Sequence, residues 1–578
     1  MPEGVKALAS ATGASPVVLA ALALGVLVAA SYFPATLAGF VWDDVVLTGA
    51  KPLQSASGLW QIWFEPRSLS DYEGHYWPIL YTTFWLENRL WGTDPLGYHL
   101  VNLLLHTGVT LLLWRLLKRL AVPGAWLAAA VFAVHPLHVE PVVWVIGRKD
   151  LLAAVFYLAA ALNYLRFVER QRRRHYGYAL ALFTLGLLCK SIIVSLPVAL
   201  LIWHWGKRGR VTGADLARVA PLLLVGLCLI AADLAFYKDR DPTAFDYSPL
   251  ERALIAGQAL WFHAGKLVWP AGLSVIYPRW EVGAGNAPAW ACLLGAIAVI
   301  TGLWAARRRI GRGALAGVLL FVVTLSPTLG FVDYGYMLFS FVADRYQYLA
   351  GAGLIAVLVG AAAHGVRHLP GRWQTLLRAL AAIPLLILGA LTWQQAGIYR
   401  DNITFYTHIT AINPQARLAH HNLGLEHYRA GRYEDALAAY RTEQRLARNH
   451  PADPIRNSRA HLGVGQAVEA LGRLDEAAEH YQRALQISPR FTPASEYLGA
   501  LRIRQKRYAE ALDLFRELLK ISPGLARFHV GEGVALAGLN RPHEALQSYE
   551  RALALDPSLE QARTNRTSLL KFMQRNGG

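Results

Sequence analysis

Two adjacent carboxylates, Asp43 and Asp44, follow directly on a long apolar run in the stretch Phe40-Val41-Trp42-Asp43-Asp44. Ionised acids are costly in hydrocarbon, so the pair is expected where the run leaves a membrane, facing water or a polar cavity. Neighbouring acids in a partly desolvated site can hold different protonation states, one taking a proton from a hydroxyl while the other positions that hydroxyl or a cation. The plainer alternative is that they cap the next helix. A second cluster runs from His135-Pro136-Leu137-His138-Val139-Glu140 to Gly147-Arg148-Lys149-Asp150. On a helix His135 and His138 share a face, and with Glu140 they are candidates for a divalent metal; hydrogen-bonded or structural histidines are the other reading. Arg148 and Lys149, cations beside apolar walls, suit a phosphate anchored to a lipid, with interfacial snorkelling as the alternative. Lys190 stands between two apolar runs, and Asp344-Arg345-Tyr346-Gln347-Tyr348 follows an aromatic stretch. Cations without a local partner near a membrane point to an anion supplied from elsewhere, although Asp344 and Asp333 are both available to Arg345. Arg148, Lys149, Lys190 and Arg345, with Tyr346 as a further candidate, would form an electropositive pocket opposite the acids. That layout suits displacement of a phosphate leaving group.

The elements that carry these residues are membrane helices. Of 578 residues, 54% are hydrophobic and only 17% charged, which excludes an ordinary soluble protein and fits a polytopic membrane protein. Candidate spans are Val17–Gly39, Tyr98–Leu117, Ala125–Val145, Leu151–Val168, Tyr176–Leu188, Ile192–Trp205, Leu216–Phe236, Ala289–Ala306, Ala314–Gly330, Tyr346–Ala363 and Leu376–Trp393, of which the short pair at 176–188 and 192–205, separated only by Lys190-Ser191, is either a tight pair of spans or one broken helix. The first reads as an uncleaved span. Leu250–Trp269 contains Gln258, His263 and Lys266 and is expected as an interfacial or re-entrant helix. With these eleven spans alternating, the Arg/Lys clusters at 115–119, 166–174, 207–210, 307–312 and 367–378 share one side, the cytoplasm. The acid pair, Lys190, Arg345 and everything after Trp393 then lie on the outer face, for a bacterial chain the periplasmic side of the inner membrane. The formal charge of +18 is accounted for by topology rather than by nucleic-acid binding, and Cys189, Cys228 and Cys292 suggest no disulfide framework. The outer loop 40–96 is rich in aromatics, among them Trp60, Trp63, Trp77, Trp85 and Trp91, as amphipathic helices at the headgroup level would be.

The chain divides into a membrane domain at 1–393, a connecting helix at 394–413 and a repeat domain at 414–578. In the last, Pro489, Pro523 and Pro557 recur at the same spacing, as do Ala477, Ala511 and Ala545, each Ala followed by Tyr481, Phe515 or Tyr549. Gly465, Gly499 and Gly533 precede the alanines, and Gly424, Ala436 and Tyr440 form an earlier unit set off by an insertion near Asn449–Pro454. About four tetratricopeptide repeats follow from this period, an α-solenoid presenting a groove to an extended peptide.

The acid pair after the first span, the His-Pro-Leu-His-Val-Glu and Gly-Arg-Lys-Asp motifs, Cys189-Lys190, Ala343-Asp344-Arg345-Tyr346-Gln347-Tyr348-Leu349 and the trailing repeats resemble the transmembrane and tetratricopeptide-repeat O-mannosyltransferases (TMTC family), members of the GT-C class. The resemblance covers nearly the whole chain in order. It implies an all-α GT-C membrane domain of about eleven spans and an inverting transfer of a sugar, mannose or a similar hexose, from a polyprenyl-phosphate carrier to a hydroxyl acceptor, a protein met through the repeats. Asp43 would be the base, Asp44 its neighbour orienting the acceptor, and Arg148, Lys190 and Arg345 the donor-phosphate contacts, joined by Lys149 from the pocket read above; no cofactor is assigned, with a divalent metal as the open alternative. The chain departs from the pattern after Lys190, where a Glu often follows and here Ser191 stands, and its Ala/Arg-rich, shorter array is more like a bacterial relative. The rival readings are an O-antigen ligase or polymerase-like transferase using a diphosphate carrier, and a membrane-anchored scaffold without catalysis.

Overall fold

The computed structural model describes residues 15–44, 49–69, 74–240, 245–447 and 453–576. The chain forms two compact units, Met1–Pro414 and Gln415–Gly578, and the described residues are helical throughout, without strands.

In the first unit five helices are long and apolar enough to cross a membrane: Pro95–Arg119, Val145–Arg170, Gly213–Tyr237, Ala287–Ile310 and Gly371–Arg400. A sixth span results if Ala125–Ala133 and Pro136–Val143, bent by 54°, count as one, and the shorter apolar helices Pro16–Ser31, Gly313–Thr328 and Gly351–Arg367 accompany them. This is a multi-pass membrane protein, but eleven full-length spans are not what the helices give. A crossing needs about 20 residues. The neighbouring runs around 176–188 and 192–205 form the helices Arg173–Leu187 and Leu196–Arg208, of 15 and 13 residues, separated by extended backbone at Lys190 and the 3-10 turn Ser191–Ser195. The ambiguous Leu250 region is one unbroken helix, Pro249–Val268, opened by a capping box between Ser248 and Glu251. Gly257 lets it approach the next helix closely: a Cβ there would lie 2.8 Å from the Leu293 backbone. The loop 40–96 contains Lys51–Gln54, Gly58–Phe64 and Pro78–Trp91, the last carrying Glu87 inward.

The bent span is irregular. Its helix stops at Ala133, and the chain continues through extended His135, a 3-10 turn at Pro136–His138, a short helix at Val139–Val143, extended Trp144 and a second 3-10 turn at Val145–Gly147 before the long helix Arg148–Arg170 begins. Pro136 and Pro141 each remove a backbone donor that a continuous helix would need. Gly147 is required by close approach, since a Cβ would meet Pro141 O at 2.7 Å.

In the second unit four helix pairs, Arg417–Arg429 with Tyr433–Ala447, Pro454–Ala470 with Leu474–Ile487, Thr492–Arg504 with Tyr508–Ile521 and Ala526–Gly538 with Pro542–Leu555, are closed by Glu560–Asn576. The repeat pattern has a steric origin. A Cβ on Gly424, Gly465, Gly499 or Gly533 would come within 2.7, 2.4, 2.9 and 2.6 Å of the rings of Tyr440, Tyr481, Phe515 and Tyr549, so each aromatic is seated on the glycine of its own pair. Tyr440 and Phe515 also press on Gly463 and Gly531 of the following pair, at 2.7 and 2.3 Å. The insertion near Asn449–Pro454 lies mostly outside the described residues. Gly465→Ala is expected to overpack this contact and destabilise the repeat unit by roughly 1–3 kcal/mol; faster amide exchange confined to residues 454–521 is the measurement.

Candidate functional site

The irregular segment 134–147 is buried, so every backbone group that has left the helix must find a partner. Neighbouring side chains supply them. His106 Nε2 donates to Ala133 O at 3.0 Å, Thr392 to Val134 O at 2.7 Å, and His138 Nδ1 to Phe132 O at 2.8 Å. Asn102 Nδ2 reaches Val142 O at 3.1 Å and Trp144 O at 3.4 Å, while Ile146 N–H donates to Asp44 Oδ1 at 2.9 Å.

That last bond fixes the acid loop. Asp44 is 1% exposed, and its second oxygen accepts from Val41 N–H at 3.2 Å, so both oxygens are committed to backbone. Burial raises its carboxyl to about 7, against the lowering effect of the hydrogen bonds from Ile146 and Val41. Trp42 precedes it in the left-handed region at φ 53°, a conformation that costs a bulky residue about 1 kcal/mol or more. It is held there by its N–H to Asn402 Oδ1 at 3.0 Å and by stacking on Trp144, with ring centroids 5.4 Å apart. The turn sends the two acids different ways, Asp44 inward and Asp43 to the exposed side. Both Asp44 oxygens therefore hold the loop. Asp44→Asn presents an NH₂ to one of the two backbone donors, and should destabilise the membrane unit by about 1–3 kcal/mol in a detergent melt.

The cations divide into two kinds. Arg148 is fully buried and donates to Glu87, to Asn102 Oδ1 at 2.8 Å, to Tyr98 O at 2.9 Å and to Thr83 at 3.4 Å, with its guanidinium 4.7 Å from the Phe84 ring. Its donors are used within the protein. Lys149 and Arg345 lie instead beside Trp144, and Lys190 lies beside Asp150. Lys149 Nζ lies 5.0 Å from the Trp77 ring and 5.9 Å from Trp144. Arg345 pairs with Glu140, whose carboxylate also accepts the Arg345 N–H at 2.9 Å, and lies 5.4 Å from Trp144, 4.3 Å from Tyr336 and 5.0 Å from Tyr346. The acids expected beside Arg345 go elsewhere: Asp333 to Arg252 at 2.8 Å, and Asp344 to the Tyr277 hydroxyl at 2.8 Å. Lys190 is not alone either, donating to Asp150 at 2.5 Å. Burial holds its ammonium below the usual range, Asp150 draws it back up, and Lys149 lowers it further.

The residues do not fit a metal. His135 Nε2 donates to Leu267 O at 2.9 Å while Nδ1 accepts from Leu137 N–H at 3.3 Å, His138 Nδ1 is taken by Phe132, and Glu140 by Arg345. Among the described residues no three metal-ligating side chains converge. The two histidines hold the broken span together, the structural reading left open by the sequence. Trp144, Glu87, Asn102 and Tyr336 are the residues that sequence reasoning missed. Only Trp144 carried a signal, an aromatic between Glu140 and Lys149 at the end of a span.

Residues 77–236 match the family described as dolichyl-phosphate-mannose-protein mannosyltransferase, and residues 421–490, 503–560 and 468–530 match tetratricopeptide repeats. The human protein O-mannosyl-transferase TMTC3 is 25% identical over 92% of this chain and 63% of its own length. The protein O-mannosyl-transferase F38B6.6 of Caenorhabditis elegans is 27% identical over 67% of this chain and 56% of its own. The chain thus spans about 63% and 56% of these relatives. Among solved structures, YrrB, a TPR protein, aligns at 20% identity over 32% of this chain and 92% of its own, with a TM-score of 0.26. The resemblance read from the motifs is borne out: the chain is a homologue of the TMTC protein O-mannosyl-transferases and has their order of a mannosyltransferase-type membrane region followed by tetratricopeptide repeats.

Proposed function

We propose that this protein transfers mannose or a similar hexose from a polyprenyl-phosphate carrier to a hydroxyl of a protein acceptor on the outer face of the membrane. The observation that supports this best is the convergence on Trp144 of the acid loop, through Trp42, with Lys149 and Arg345, on the segment that also delivers Asp150, the partner of Lys190. Asp43, on the exposed side of the loop, takes the proton from the attacking hydroxyl. Lys149, Lys190 and Arg345 neutralise the phosphate as it leaves. Asp150 and Glu140 hold Lys190 and Arg345 in place beforehand, so little reorganisation is needed as charge develops. Attack from the face opposite the phosphate inverts the anomeric carbon. The tetratricopeptide unit offers the extended acceptor a binding groove.

The test is donor turnover by the purified full chain in lipid nanodiscs, given radiolabelled polyprenyl-phosphate mannose, the corresponding diphosphate-linked sugar, and a peptide acceptor. Consumption of the monophosphate donor alone is expected. Consumption of the diphosphate donor alone would turn the reading to an O-antigen ligase-like transferase, and turnover of neither to a membrane-anchored repeat scaffold.

A further inference from the structure

Two buried polar atoms beside the candidate phosphate cations have no hydrogen-bond partner among the described residues: Asp150 Oδ2 and Trp144 Nε1. Both residues are almost wholly enclosed, at 5% and 4% exposure. Their other groups belong to the site. Asp150 Oδ1 receives Lys190 Nζ at 2.5 Å, and the Trp144 ring meets Trp42 on one side and lies within 6 Å of Lys149 and Arg345. An unmet carboxylate oxygen or indole N–H inside protein costs about 1–3 kcal/mol, so each position favours a ligand that completes it.

The two atoms have opposite requirements, and this restricts the ligand. A carboxylate oxygen only accepts, and an indole N–H only donates. A phosphate would satisfy the cations and Trp144, but it meets Asp150 Oδ2 as one anion meets another. A hydroxyl donates and accepts, so a polyol can satisfy both atoms while an attached phosphate lies on Lys149, Lys190 and Arg345.

We propose that Asp150 Oδ2 and Trp144 Nε1 form the subsite for sugar hydroxyls, and that they read the hexose rather than its phosphate. This rests on the reading of the protein as a transferase using a polyprenyl-phosphate sugar. Asp150 then has two duties on its two oxygens, holding Lys190 toward the phosphate with one and accepting a sugar hydroxyl with the other. A single side chain thereby fixes the sugar relative to the leaving group.

The experiment compares binding of polyprenyl-phosphate mannose and bare polyprenyl phosphate to the full chain in nanodiscs, for wild type, Trp144→Phe and Asp150→Asn, with melting curves on each. Trp144→Phe keeps an aromatic ring and removes only the donor; Asp150→Asn keeps an oxygen for Lys190 and turns the other acceptor into a donor. Wild type is expected to bind the mannosylated lipid roughly tenfold or more tightly than the bare one. Each variant should shrink that preference at least about threefold; for Trp144→Phe, which leaves the cations and their carboxylate partners in place, affinity for the bare lipid should stay within about twofold of wild type. Variants that lose affinity equally for both lipids, or that both keep the wild-type preference, would overturn the subsite. Wild type binding neither lipid would overturn the polyprenyl-phosphate reading beneath it.

Discussion

Asp43→Asn should lower sugar transfer at least about 100-fold while leaving donor affinity and melting temperature near wild type, because a positioned general base is typically worth 10²–10⁴ in rate. Elimination within the acid pair leads to Asp43. Asp44 uses both oxygens on the backbone N–H groups of Ile146 and Val41 and is buried. Asp43 is carried to the exposed side by the left-handed turn at Trp42. Asn is the right replacement because it preserves size and removes only basicity. Initial rates at saturating donor, with donor binding measured separately, isolate the chemical step. A normal rate in Asp43→Asn would remove it as the base. Loss of transfer in Asp44→Asn with the fold and donor binding intact would exchange the two roles.

The second large effect is structural. Arg148→Met leaves the Glu87 carboxylate buried without its cation, and breaking a buried pair in this way typically costs 3–5 kcal/mol. Replacing both partners, as Arg148→Met with Glu87→Leu, should recover more than half of that loss, since an apolar pair carries no uncompensated charge. Unfolding of Arg148→Met, Glu87→Leu, the double variant and wild type in a graded detergent series measures the cycle. The donor KM decides what Arg148 does. A stabilising arginine predicts a double variant whose KM lies within about threefold of wild type, whereas a phosphate contact predicts a refolded protein that still binds donor poorly.

Local pattern carried a good deal of this. The acid pair, the cations and the glycine–aromatic period were legible because each depends on residue type and spacing along the chain. The period in particular is a direct print of rings seated on glycines, as at Gly465 and Tyr481. Which cations were spoken for was not legible. Lys190 finds Asp150 40 residues away, Arg148 finds Glu87 at 61, and Arg345 finds Glu140 at 205. No feature of the sequence near these residues announces such partners, so all four looked equally available. The two readings of the histidines stayed open for a related reason. A ring nitrogen that serves a backbone carbonyl and one that waits for a metal come from the same residue type, and only the break at Pro136 tells them apart. Hydropathy likewise counts apolar residues without seeing where a helix ends, so the short runs at 176–188 and 192–205 could be read either as a tight pair of spans or as one broken helix.

The broken span also bears on how the protein is made. Residues 133–147 have traded helical hydrogen bonds for bonds to Asp44, Asn102, His106 and Thr392, which belong to other parts of the chain. Released from the translocon alone, the segment would meet lipid with bare carbonyls, at several kcal/mol for each unsatisfied group. It must therefore wait beside Pro95–Arg119 until Thr392, some 250 residues later, has been synthesised. Biogenesis of this membrane unit should depend on a chaperone or insertase that holds an unfinished helix out of the bilayer, and truncations ending before Thr392 should be degraded rather than inserted.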